Sequence, residues 1–135
     1  MSIYTERAAA LRASTDVHYN CAQSVLVSLA PALGLTEEQA MGVAANFGGG
    51  MKMGSVCGAV TGSLMALGLA GLTEESAVGA FTDAFRTGHG ETLLCRELLA
   101  DNERRGGERK PFCDALVLEC VARAETLLRA TGKLD

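Results

Sequence analysis

The residues of this chain whose types and spacing suit chemistry are its five cysteines: Cys21, Cys57, Cys95, Cys113 and Cys120. Three consecutive glycines, Gly48-Gly49-Gly50, lie shortly before Cys57, and Gly58 follows it. Each glycine loses extra backbone freedom on folding, so a run of them needs an offsetting reason. The usual reasons are backbone conformations closed to other residues, or close backbone approach to something that leaves no room for a side chain. Next to a cysteine at a helix start, either reason points to a reactive or metal-binding sulfur.

The predicted elements place most of the sulfurs alike. Asn20 is a good N-cap for a second helix, which puts Cys21 at its first position; Asp16 is a competing cap. Cys57 begins the segment after the glycine run. Cys95 falls three or four residues past a cap at Glu91 or Thr92. Pro111 suits the first position of the last helix, making Cys113 its third residue. The first turn of a helix has unpaired amides and the positive end of the dipole, which favour a thiolate and lower its pKa. The glycine amides add a concave anion-binding nest. Such a cluster serves a redox pair, a zinc site or an iron–sulfur cluster. Cys57, served by the glycine loop, is the expected central sulfur.

Cys120 lies two turns into the last helix and reads as a small core hydrophobe. It is seven residues from Cys113, about 10 Å along a helix, too far for a disulfide. No CxxC and no zinc-finger spacing is present. His18 and His89, the two histidines, have no ligand spacing to the cysteines and read as surface or capping residues. Met51 and Met53 read as core filling. The glycine run is not a phosphate-binding loop, since no GK[ST] follows and no strand precedes it. Glu37, Glu38, Glu74 and Glu75 sit at helix starts, where capping explains them.

These residues must be positioned by helices. At 135 residues the chain is one domain, 1–135, able to bury a core without disulfide staples. Hydrophobic residues make up 48% and aromatics 4%, so the core is built from Ala, Leu, Val and Gly, which suits close helix packing. Helices are expected from Ile3 to Ser14, Asn20 to Ala32, Thr36 to the glycine run, Ser55 to Gly71, Thr73 to Gly88, around Leu94–Leu99, and from Pro111 to Thr131. In the first, Arg7 and Arg12 are read as outward-facing. In the third, Val43 and Phe47 share the buried face. Asp101 to Lys110 reads as a polar loop. In the fourth, Gly58, Gly62 and Ala66 are spaced by four, as are Ala59, Ser63 and Leu67, so a neighbouring helix can approach closely. No segment alternates like a strand. The expected fold is all-α: a compact bundle of six to seven helices around a buried Gly/Ala-rich central helix.

A net charge of −4 without a one-sided Lys/Arg cluster argues against nucleic acid. The N-terminus lacks a signal-peptide pattern, so the expected location is cytoplasmic, where structural disulfides are rare. Val56 to Leu72 is uncharged for 17 residues; that is short for a membrane span and rich in glycine, so a buried helix is expected and no membrane association.

Five motifs in order carry a resemblance: Asn20-Cys21-Ala22-Gln23-Ser24-Val25-Leu26, Phe47-Gly48-Gly49-Gly50-Met51, Cys57-Gly58-Ala59-Val60-Thr61-Gly62, Cys95-Arg96-Glu97-Leu98-Leu99, and Cys113. Together they resemble the C_GCAxxG_C_C family of small redox-active bacterial and archaeal proteins, over about residues 15 to 130. The resemblance makes Cys21, Cys57, Cys95 and Cys113 the family's cysteines and leaves out Cys120. Val56 stands where the family's name has glycine. A related domain in some multihaem cytochromes is associated with an iron–sulfur centre; this chain has no CxxCH for a covalent haem.

The expectation is a redox protein whose Cys21, Cys57, Cys95 and Cys113 converge. They would carry electrons through an iron–sulfur cluster or a transition metal, or exchange thiol for disulfide with a redox partner protein. Gly48, Gly49, Gly50 and Gly58 would shape the loop around them. The rival expectation is a non-enzymatic helical interaction module, a homodimer joined through the exposed part of the Gly/Ala face.

Overall fold

The computed structural model describes residues 1–134. Seven α-helices follow in order: α1 (Ile3–Ala13), α2 (Cys21–Leu29), α3 (Glu37–Ala44), α4 (Gly58–Leu69), α5 (Glu75–Gly88), α6 (Cys95–Arg104) and α7 (Arg109–Ala130). A 3₁₀ turn, Ala30–Leu33, closes α2, and an irregular turn, Gly50–Gly54, precedes α4. Among the described residues there is no strand, only one isolated antiparallel bridge. No helix among them is long and apolar enough to cross a membrane.

Reciprocal side-chain caps start the first three helices. Ser2 pairs with Thr5, Asn20 with Gln23, and Thr36 with Gln39. Each pair satisfies two amides that the helix itself leaves free. Asn20, not Asp16, is therefore the cap of α2.

From Ala22 to Leu29, α2 is buried on every side. Its serines return their hydroxyls to the helix, Ser24 Oγ donating to the Asn20 carbonyl at 2.8 Å. Buried polar groups are tolerated when bonded in this way. The small residues of α4 let α2 come close: a Cβ on Gly62 would lie 2.7 Å from the Ala22 carbonyl oxygen. The Gly/Ala face is thus largely covered inside the chain by α2, with Gly68 and Leu69 exposed at the helix end. Leu116, Val117, Cys120, Val121, Ala124 and Leu128 of α7 and Phe85 of α5 complete the core. Full burial of each large apolar side chain stabilises by about 1.5–3 kcal/mol.

Four details differ from expectation. Val43 is 54% exposed, off the buried face. Arg7 donates to the Ser28 carbonyl at 2.8 Å, and the Arg12 side chain is only 12% exposed, so neither points simply outward. Helix α6 runs through Arg104, because Asp101 pairs with Arg104 and Arg105 one turn on; Gly106, at φ +80°, then ends it. Helix α7 starts at Arg109, with Glu108 as N-cap, so Pro111 is its third residue and Cys113 its fifth.

Candidate functional site: four cysteines around one cavity

Cys57 and Cys95 are joined through backbone. The segment 55–57 pairs with 93–95 at the bridge between Val56 and Leu94. The Cys57 N–H donates to the Leu93 carbonyl at 2.8 Å, and the Cys95 N–H to the Ser55 carbonyl at 2.7 Å. Extended chains alternate their side chains, so with Val56 and Leu94 on one face, Cys57 and Cys95 share the other. Cys57 is the N-cap of α4 and Cys95 the first residue of α6.

Glycines make room for this. A Cβ on Gly50 would lie 2.5 Å from the Ser55 oxygen and 2.8 Å from Cys95 Cβ. Gly50 is also at φ +66°, and Gly49 at +63°, backbone that glycine adopts without strain. A Cβ on Gly58 would meet the Phe47 oxygen at 2.9 Å and Cys21 Cβ at 3.2 Å. One on Gly48 would press on Asn20 at 2.5 Å. The expected loop glycines therefore shape the site by close approach: Gly49 and Gly58 line its cavity, Gly50 backs Cys95, and Gly48 backs the cap of α2.

Asn20 sets Cys21. Its Oδ1 accepts from the Gln23 N–H at 2.8 Å, and its Nδ2 donates to the Ala45 carbonyl at 3.1 Å. The second bond ties the start of α2 to the end of α3. On α7, Arg109 lies four residues before Cys113, on the same helical face. Its positive charge helps lower the Cys113 pKa.

Cys21, Cys57, Cys95 and Cys113 line one small cavity of about 30 Å³, together with Gly49, Gly58, Arg109 and Leu116. Cys21, Gly49, Arg109 and Cys113 also line an open cleft of about 730 Å³. These four residues form the wall between the two spaces. Cys57, buried, and Cys95, partly exposed, line the small cavity but not the cleft.

The charges differ across the four thiols. The neighbouring Cys21 lowers Cys113 to about 6 despite burial, with Arg109 and Arg12 adding to the effect. Cys21 is raised well above an ordinary thiol, first by its coupling to Cys113 and then by burial. Burial pushes Cys57 up to about 11, outweighing the amides of Ala59 and Val60 that favour its thiolate. Burial also raises Cys95. The expectation that helix starts lower these pKa values thus fails at Cys57 and Cys95, where loss of solvation outweighs the helix end, and at Cys21, where the neighbouring Cys113 acts first and burial second. Of the four, Cys113, in the second turn of its helix, is the one shifted toward the thiolate.

Arg12 is a site residue that the sequence reading missed. It forms an ion pair with Asp114 at 2.7 Å and donates to the Tyr19 carbonyl at 2.9 Å. Burial works against the Asp114 carboxylate, yet Arg12 and Lys110 hold its pKa below the ordinary value. The signal available in sequence was only an arginine beside an apolar stripe.

The remaining candidates separate from the site. His18 is exposed at the cleft rim. His89 hydrogen-bonds Glu119 at 2.9 Å and stacks on Phe85, with ring centroids 4.3 Å apart. Cys120 is fully buried in the core, as expected. Met53 is 71% exposed, against the expected core filling. For a metal, the test is the arrangement of donors. Among the described residues no three His, Cys, Asp or Glu side chains are grouped to hold one ion. As placed, the four thiols do not form such a group.

No curated protein and no solved structure matches the chain. The family model described as "Putative redox-active protein (C_GCAxxG_C_C)" matches residues 19–127, a span that contains all four cavity cysteines. With its fold and its cysteine cavity described, the chain belongs to the C_GCAxxG_C_C family.

Proposed function

We propose that the protein is a dithiol–disulfide redox protein in which Cys113 attacks and Cys21 resolves. The observation that carries this reading is the position of the pair. Cys21 and Cys113 sit together on the wall that faces the open cleft, beside Arg109, and both also line the small cavity.

The step balances as thiol–disulfide exchange. The Cys113 thiolate attacks one sulfur of a disulfide substrate, whose S–S bond breaks and releases a thiolate. That thiolate takes the Cys21 proton. The Cys21 sulfur then attacks Cys113, forming the intramolecular disulfide and expelling the second half of the substrate as thiolate. Two electrons pass from the cysteine pair to the substrate. An external thiol reductant, the redox partner, restores the pair. Cys57 and Cys95, whose pKa values burial raises, stay protonated, and no step is assigned to a metal.

Alkylation of the native reduced protein tests this against the interaction-module reading. Cys113 is expected to react first, ahead of Cys57 and Cys120. Uniform resistance of all five thiols until unfolding would overturn the redox reading and favour structural cysteines.

A further inference from the structure

We propose that the open cleft beside Cys21 and Cys113 is a binding site for a small anionic disulfide, whose carboxylates are held by Lys52, Arg109 and Lys110. This rests on the dithiol reading and adds the class of substrate.

The argument is one of charge and shape. Arg12, Lys52, Arg109 and Lys110 all line the cleft, and no Asp or Glu does. They come from three places in the chain: α1, the turn after the glycines, and the start of α7. This concentration occurs in a chain of net charge −4, so it is not a general basic surface. Asp114 is the one carboxylate paired with these cations, bonding Arg12 at 2.7 Å and Lys110 at 3.0 Å. Among the described residues Arg109 and Lys52 have no carboxylate partner; Lys52 Nζ donates to the neutral Asn46 Oδ1 at 2.9 Å. One negative charge against four positive leaves three unmatched beside the thiols. Lys52 is also exposed, and its backbone sits at φ +59°, a strained conformation for lysine that fixes where the turn presents it. The cleft volume of about 730 Å³ falls within the range of small-molecule sites, about 300–1,000 Å³. Clefts lined by one sign of charge raise the local concentration of oppositely charged substrates.

The test compares two probes on the reduced protein at low ionic strength: oxidised glutathione, which is anionic, and cystamine, which is dicationic. Each rate is divided by the rate of the same probe with a free small thiolate. The normalised rate is expected to favour the anionic probe by about tenfold or more, with the advantage shrinking as salt is added. Lys52→Glu, a change at an exposed position, is expected to cut that advantage severalfold; Lys110→Gln provides a second variant. Equal normalised rates for the two probes, or an advantage untouched by both variants, would overturn the anionic site while leaving the dithiol intact. If neither probe produces a Cys21–Cys113 disulfide, the dithiol reading falls, and this one with it.

Discussion

Cys21 and Cys113 share the wall between the small cavity and the open cleft, and Cys21 contributes most to lowering the Cys113 pKa. Neighbouring charge from Arg109 and Arg12 works in the same direction, and burial works against it. The pair is thereby biased toward an attacking thiolate at Cys113 with a second thiol beside it.

The pH dependence of alkylation follows. Reactivity tracks the thiolate, so the Cys113 rate should rise with a midpoint near the value of about 6, and Cys57 only toward about 11. Cys21→Ala removes the neighbour that most lowers the Cys113 pKa, so the Cys113 midpoint moves up. Arg109→Gln moves it the same way. A midpoint unchanged in Cys21→Ala would contradict the pairing. Mass spectrometry of a pulse-labelled pH series reads all of these.

Arg12 joins the site to the fold through Asp114 and the Tyr19 carbonyl. Arg12→Ala should destabilise the protein by about 1.5–3 kcal/mol, the range for hydrogen bonds to charged groups. It should also raise the Cys113 midpoint. Urea unfolding and the same labelling series check the two effects separately. Loss of stability with no shift at Cys113 would make Arg12 purely structural.

The glycines divide by what surrounds them. Gly50→Ala meets Ser55 and Cys95 and needs a positive φ, so a cost of about 2–4 kcal/mol is expected from overpacking and strain together. Gly79, inside α5, has nothing within 4 Å of its would-be Cβ. Gly79→Ala should instead stabilise by about 0.5–1 kcal/mol, because alanine is the better helix former. Comparable losses in both variants would refute the close-approach argument.

Metal dependence separates the dithiol from a metal centre. Since no three donors are grouped around one ion among the described residues, chelator treatment should leave the rate of Cys21–Cys113 disulfide formation unchanged. Faster formation after chelation, or iron with visible charge-transfer bands in protein prepared without oxygen, would reverse the assignment.

Much of the local structure was readable because its causes are local. The Thr36–Gln39 box, the Asn20 cap and the spacing of Val25, Leu26 and Leu29 are set within a turn or two. The start of α7 was not. Glu108 makes no side-chain cap bond, and proline is tolerated anywhere in a first turn, so two residues of register were lost. That register is what puts Arg109 over Cys113. The pairing of Cys21 with Cys113 spans 92 residues, and no local pattern encodes it. The thiol pKa values were misjudged for a related reason. Helix starts are visible in sequence, whereas the burial that outweighs them at Cys57 and Cys95, and the Cys113 neighbour that does so at Cys21, depend on the whole fold.

The most direct measurement is a non-reducing peptide map of the protein after one equivalent of a mild thiol oxidant, with remaining thiols blocked under denaturing conditions. The account predicts a peptide pair joined through Cys21 and Cys113, with Cys57, Cys95 and Cys120 recovered as blocked thiols. A dominant link between Cys57 and Cys95, or no intramolecular link at all, would contradict it.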